Sequence, residues 1–468
     1  MSLLDANRLF PVEPAARKIA QEIFAQVESL PLICPHGHTD PRWFAENKAF
    51  PDPAQLFVTP DHYVFRMLFS QGVKLTDLGV PRRDGGPTET DGRKIWRIFA
   101  ENYHLLRATP SRMWIDHAFE KVFGITEHFT PNTADEIYDH IANCLRQPNF
   151  RPRALFDSFN IEAISTTENP LDDLRWHKMI QESEWSGKVV TAYRPDNVVD
   201  PEFEGFLTNI EKLGALTNCD TSNWQGYLEA HRVRRAFFKS FGATSTDHGH
   251  PSARTEDMPQ SEAATLFKNL LTGNATPNEA DAFRGQMLTE MARMSLDDGL
   301  VLQIHPGSFR NHSKSILDIH GRDMGFDIPT RTDYVRALKP LLDAVGTTPD
   351  LTIIVFTLDE TSFSRELAPM AGVYPALRLG PAWWFYDSAE GMRRFRETTT
   401  ETAGFYNTVG FNDDTRAFCS IPARHDVSRR VDCAYLATLV STGRLRLDDA
   451  HEVAHDLAYG LAKKAYRL

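Results

Sequence analysis

The sequence predicts an α/β protein folded as a (β/α)8 TIM-type barrel with a helical insertion after the first strand. Three observations predict it. Short apolar or β-branched runs recur eight times, and stretches of helical length and spacing lie between them. Most runs are near-continuously apolar, as strands covered on both faces of a parallel sheet must be. Each run ends abruptly in polar, often ionisable residues, and the C-terminal strand ends are where a (β/α)8 barrel carries its chemistry. The rival doubly wound open sheet lacks its signature, because no G-x-G-x-x-G opens the first unit.

The eight runs are residues 32–34, 161–165, 188–192, 242–246, 300–304, 351–356, 376–379 and 407–411. The first passes straight into His36-Gly37-His38, the second into Thr166-Thr167-Glu168, the third into Tyr193-Arg194-Pro195-Asp196. The fourth ends in Asp247-His248, the fifth in His305-Pro306-Gly307, the sixth in Thr357-Leu358-Asp359. The seventh leads to Gly380-Pro381 and Trp383-Trp384, the eighth to Asn412-Asp413-Asp414-Thr415-Arg416. Helical spacing is clear in "PLDDLRWHKMIQESE" and "TDYVRALKPLLDAV". About 125 residues separate the first two runs, far beyond a βα loop. They read as helices ("DHYVFRMLFSQG", "GRKIWRIFAENYHLL", "RMWIDHAFEKVFG", "ADEIYDHIANCLRQ"). Residues 45–155 are therefore expected to form a helical subdomain inserted in a single barrel domain spanning 1–468. A smaller insertion, 248–298, carries "EAATLFKNLLTG" and "FRGQMLTEMARMS". Insertions of this kind close over active sites.

A net charge of -12 argues against non-specific binding to nucleic acid or an anionic membrane, so an anionic ligand would need specific arginines. Five scattered cysteines without a C-x-x-C give no disulfide framework and no thiolate zinc site, which fits a reducing compartment. The first residues lack a signal-peptide core and no apolar run approaches membrane-spanning length. A cytoplasmic protein is expected.

Four potential metal ligands reach the barrel mouth. His36 and His38, two apart on an extended segment, point to one side. His305 follows the fifth run and Asp414 the eighth. The first and eighth strands adjoin in a closed barrel, so His36, His38 and Asp414 can meet. Two imidazoles and a carboxylate suit Zn²⁺ or another divalent first-row ion, with a position left for water or substrate. Taken singly, His305 reads as a packed strand-end residue and Asp414 as a helix N-cap; their convergence on one face favours the metal.

H-x-H after strand one, a His after strand five and an Asp after strand eight resemble the amidohydrolase superfamily. More narrowly, the chain resembles the uronate (glucuronate) isomerase family, in "CPHGHTDP", "DHYVFRML", "STTENPLDDLRWH", "YRPD", "TDHG", "QIHPGSFRN", "FTLDE", "PAWWF" and "DDTRAF", in order along nearly the whole chain. The resemblance adds that the barrel is distorted. Binuclear amidohydrolases differ: strand four here offers Asp247 rather than a carbamate-forming lysine, and "LTIIVFTLDE" has no histidine. One divalent metal, Zn²⁺, is the cofactor this implies.

The resemblance implies interconversion of D-glucuronate with D-fructuronate and of D-galacturonate with D-tagaturonate, through an enediol. Such chemistry needs a base at C2, charge stabilisation at O1 and O2, and a grip on the carboxylate. The family pattern carries over to Arg194 and Arg416 as carboxylate partners, since a guanidinium meets a carboxylate bidentately. Tyr63 is assigned to proton transfer, helped by a nearby arginine or the metal, and His62 to substrate binding. Asp414 competes as base or in ring opening. Asp247, His248, Arg310 and Trp383 are expected to line the pocket. A small-molecule hexuronate is the expected partner, and the enzyme is expected to be a homo-oligomer. Arg66 reads alternatively as a surface salt-bridge residue. Two other functions compete: a mononuclear metal-dependent amidohydrolase acting on a lactone or amide of a sugar acid, and a sugar-acid-binding protein without turnover. The arginines favour an acid, and no strand end looks eroded.

Overall fold

The apolar runs fold as strands, and the computed structural model, which describes residues 2–468, places them in one curled sheet. The strands are β1 Leu32–Cys34, β2 Ile161–Glu168, β3 Lys188–Tyr193, β4 Ser245–His248, β5 Val301–Ile304, β6 Ser308–Phe309, β7 Ile328–Pro329, β8 Ile353–Val355 and β9 Leu377–Leu379. Seven of them pair in the order β1-β2-β3-β4-β5-β8-β9, every pair parallel. β6 and β7 form a separate antiparallel hairpin after the β5 strand end.

The expected eighth strand, 407–411, is reduced to one parallel bridge between Leu379 and Thr408. Leu379 N donates to Asn407 O at 2.9 Å and Val409 N to Leu379 O at 3.2 Å. Gly410 then takes φ 74° against the backbone of Leu457, and the segment leaves the sheet. The ring closes further up, where His38 N donates to Thr415 O at 3.1 Å. The barrel is distorted for this reason: seven strands form ladders and the eighth position is a seam.

Two boundaries differ from the sequence reading. β4 starts at Ser245 because Gly242 sits in a turn at φ 86°, so Asp247 and His248 lie within the strand. The helix expected through 332–345 begins only at Lys339. Before it, Tyr334 N and Val335 N donate to the Glu366 carboxylate, which holds the backbone out of helical geometry.

Between β1 and β2 the chain is helical, with His62–Phe69, Gly92–Asn102, Pro110–His117 and Ala134–Leu145 among its helices. Asp61 caps the first, accepting from Tyr63 N at 2.8 Å, and Asp91 caps the second. Their apolar faces share one buried cluster with Leu32 and Cys34 of β1 and Ile161 and Ile164 of β2, so the insertion grows out of the barrel wall. The smaller insertion folds as Gln260–Leu270 and Pro277–Asp298, the latter opened by a Thr276–Glu279 capping box and ended by Gly299 at φ 78°. No helix among the described residues is long and apolar enough to cross a membrane.

The seam is held from outside by a buried ion pair. Arg396, on the helix Ala389–Ala403, meets Asp432 of the helix Ile421–Ser441 through Nε–Oδ1 at 2.6 Å and NH2–Oδ2 at 3.0 Å. Its NH1 reaches Thr408 Oγ1 at 3.4 Å, the residue that makes the single bridge. Arg396→Met should destabilise the protein by about 3–5 kcal/mol, because Asp432 is left charged and unpaired in the interior. Urea unfolding followed by tryptophan fluorescence checks this; an unchanged midpoint would show that the pair contributes nothing.

Candidate active site

Each predicted metal ligand owes its place to a strand end. β1 stops at Cys34, and Pro35-His36-Gly37-His38 crosses to the seam. Asp414 arrives from the opposite side with φ 31°, a conformation non-glycine residues rarely adopt and one associated with functional sites. Its Oδ1 lies 3.2 Å from His38 Nε2 and 3.6 Å from His36 Nε2. Its Oδ2 accepts from Trp383 Nε1 at 2.6 Å. His305 stacks between His36, at 4.7 Å, and Phe356, at 3.9 Å.

Two ligand triads overlap on His36: His36, His38 and Asp414, and His36, Asp247 and His305, with all ligand atoms of each within 4.8 Å of one another. The second brings in Asp247 as a possible ligand. His305 Nδ1 pairs with Asp247 Oδ1 at 2.7 Å, and its Nε2 is buried without a partner. That is the pattern of a histidine whose proton is fixed on one nitrogen by a carboxylate, leaving the other for a metal. The donor set thus fits a divalent ion of the zinc type.

Charges are kept where burial would erase them. Burial raises the Asp414 carboxyl, yet His36, the His38 hydrogen bond and His305 hold it well below the ordinary carboxylate range. Asp247 is likewise held low, against burial, by Arg194 and His305. Burial lowers His38 and His305, favouring the neutral imidazoles that metals require. His62 is pushed down to about 3 by burial and then by Arg416 and Arg66. Tyr63 moves the opposite way from the expectation of an arginine-activated phenolate. Burial drives its phenol above the ordinary value, and the nearby Arg424 and Arg66 do not offset it.

The cavity over these groups holds about 740 Å³, and His36, His38, His62, Tyr63, His305 and Asp414 all line it. Arg194, Arg310, Arg416 and Trp383 line it too. Asp247 and His248, expected as lining, do not: both are fully buried beneath the floor, because the β4 pleat turns Asp247 toward His305 and Arg194. Arg194 reaches the cavity already paired, at 3.0 Å from Asp247 and 2.9 Å from Asp196. Arg416 has one polar contact among the described residues, to the Asp323 backbone carbonyl at 3.5 Å, and so is the less neutralised cation. Arg310 faces Asp327 at 3.3 Å. Arg66 is not a surface ion-pair residue; it lies over the rings of Phe385, at 4.9 Å, and Tyr63, at 5.7 Å.

The sequence reading left other lining residues without a role. Glu168 is pushed up to about 8 by burial, despite hydrogen bonds from Thr191 and Thr166. His250 is buried with both ring nitrogens unpartnered. Arg322 and Asp323 follow the helix Lys314–His320 in the segment between β6 and β7. Position at a strand end could have flagged Glu168 and His250; no pattern marks the loop pair.

The family model for glucuronate isomerase matches residues 13–466. A uronate isomerase of Rhizobium meliloti (strain 1021) is 67% identical over 466 residues, covering 100% of this chain and 99% of that protein. The crystal structure of glucuronate isomerase from Caulobacter crescentus superposes with a TM-score of 0.98 at 57% identity, over 99% of this chain and 97% of that one. A uronate isomerase structure from Thermotoga maritima shares the fold, with a TM-score of 0.91 at 24% identity over 99% of both chains.

The overlapping triads predict that His36→Ala and His38→Ala each lower bound divalent metal per chain, while His62→Ala leaves it unchanged. Elemental analysis of protein purified from zinc-buffered medium measures this. Full metal occupancy in His38→Ala would remove that residue from the ligand set.

Proposed function

Because the chain belongs to the glucuronate isomerase family, whose members here match it end to end, we propose that its barrel-mouth cavity performs uronate isomerisation by proton transfer through an enediol. The substrates are D-glucuronate and D-galacturonate, the products the ketoses D-fructuronate and D-tagaturonate. The single observation that supports this best is the composition of the cavity: a divalent-metal donor set and several arginines line the same space. That combination suits a sugar acid, which carries both a carbonyl and a carboxylate. A lactone or amide hydrolase would have little use for the arginines.

His36, His38 and Asp414, with His305 in support, would hold Zn²⁺. Such an ion polarises carbonyl and hydroxyl oxygens and stabilises negative charge on them. Arg416, the less neutralised cation, binds the substrate carboxylate, and Arg194 orients it from within its own carboxylate pair. Asp414, ionised at neutral pH, is available to take a proton. Tyr63, held as a phenol, donates its proton to a substrate oxygen as charge develops there. His62, neutral above about pH 3, hydrogen-bonds a sugar hydroxyl and stacks on Trp384 at 5.9 Å. A proton taken from C2 and held on a side chain can exchange with solvent before its delivery to C1.

Arg416→Met should raise KM for glucuronate at least tenfold, the equivalent of a charged hydrogen bond of about 1.5–3 kcal/mol. Turnover of a neutral aldohexose should change far less. Equal losses on both would make Arg416 structural. The proton route also predicts deuterium at C1 of the ketose formed in D₂O, read by NMR. Tyr63→Phe should bind uronate and metal normally while kcat falls by roughly 10²–10⁴-fold. Complete absence of deuterium after many reversible turnovers would favour hydride transfer instead, and near-normal kcat in Tyr63→Phe would move the proton to Asp414 or His62.

A further inference from the structure

We propose that Arg424 is a positioning residue for Tyr63, fixing the helical insertion against the barrel so that the phenol stands at the cavity; this rests on the reading of Tyr63 as a proton carrier. Arg424 lies in the helix Ile421–Ser441, which follows the Asp414 segment, and is 1% exposed. A guanidinium this deeply buried must be fully engaged or it destabilises its surroundings. Arg424 is engaged by three different parts of the chain.

Its Nε donates to Ser420 Oγ at 3.0 Å and its NH1 donates to Asp387. Its guanidinium carbon lies 3.6 Å from the centre of the Trp114 ring and 5.4 Å from that of Tyr63. Trp114 and Tyr63 themselves meet edge to face at 5.7 Å. Both rings belong to the insertion, on the helices Pro110–His117 and His62–Phe69. Asp387 belongs to the segment after β9, four residues beyond Trp383, which holds Asp414. One cation therefore registers the insertion, the Asp414 support and the helix leaving the seam against each other.

The geometry is directional. A guanidinium can stack on an indole, lie over a phenol and donate in its plane to a carboxylate at the same time, whereas an ammonium cannot do all three. The Tyr63 helix is capped by Asp61, which accepts from Tyr63 N at 2.8 Å. Arg424 and Trp114 both lie against the Tyr63 ring. The Asp387 carboxyl, pushed up to about 7 by burial and pulled back by Arg424, has this arginine as its charged partner.

A plain structural ion pair would predict general loss of stability, metal and substrate affinity. Positioning predicts a loss confined to the step that Tyr63 serves. The test is a double-mutant cycle on zinc-loaded enzyme with glucuronate, using Arg424→Lys, Asp387→Asn and Tyr63→Phe singly and in pairs. Arg424→Lys and Asp387→Asn should each lower kcat roughly tenfold or more, with KM shifted less than about threefold and metal content unchanged. In the Tyr63→Phe background the same changes should cost less than about twofold, because the group they position is gone. The inference is overturned if the full loss reappears in that background, or if KM and metal content fall with kcat. Tyr63→Phe with unchanged kcat overturns the Tyr63 reading itself, by a measurement in which Arg424 takes no part. Should Arg424→Lys fail to fold, Asp387→Asn completes the cycle, since it frees the arginine while leaving both rings in place.

Discussion

Everything at the mouth of this barrel depends on keeping one carboxylate ionised in a nearly dry place. Removing a carboxylate from water costs several kcal/mol unless donors and positive charge surround it. Asp414 has His38, His36 and the Trp383 indole around its two oxygens, from two different strand ends. It reaches them by adopting a backbone conformation that a ladder strand would not allow. The open seam between the first and eighth positions is thus what admits Asp414 to the site, at the expense of most of the eighth strand's hydrogen bonds.

A second balance runs across the cavity. The molecule carries net charge -12, yet four arginines line this one space. Asp196, Asp247 and Asp327 pair with two of them, and Asp323 lies among the rest. An anionic substrate therefore enters a graded field. Arg194 and Arg310 are held by carboxylates in direct contact, while Arg416 makes no such close pair and faces the Asp323 carboxyl that it holds low.

The strands were legible because a parallel sheet covered on both faces demands continuous apolar runs, and the chain interrupts them only at chemistry. The eighth run looked like its fellows as far as Phe411, but hydropathy does not report whether a neighbouring strand is close enough to pair. The candidate ligands His36, His38, His305 and Asp414 were legible because side-chain periodicity and barrel topology together bring them to one place. Asp247 was misplaced by one layer, since a strand-end residue can face the cavity or the floor and the distinction turns on where β4 begins. Arg424 was illegible. It sits in a helix with buried arginines on several faces (Arg424, Arg429 and Arg430), where no polar stripe separates surface from interior. The Tyr63 environment was equally hidden, because whether burial or a cation dominates a phenol depends on distances that only the packed insertion sets.

The seam has a consequence for how the protein comes into being. His36 and His38 leave the ribosome early, Asp414 near the end, and nearly all of the barrel is made between them. Until the 407–416 segment docks beside β1, no partial chain holds the first candidate triad, and His36 and His38 lack Asp414 across from them. Closing so long a loop is entropically slow. Completion of the group formed by His36, His38 and Asp414 is consequently a late event in biosynthesis, and a chain that stalls before its last segments lacks the sealed ring.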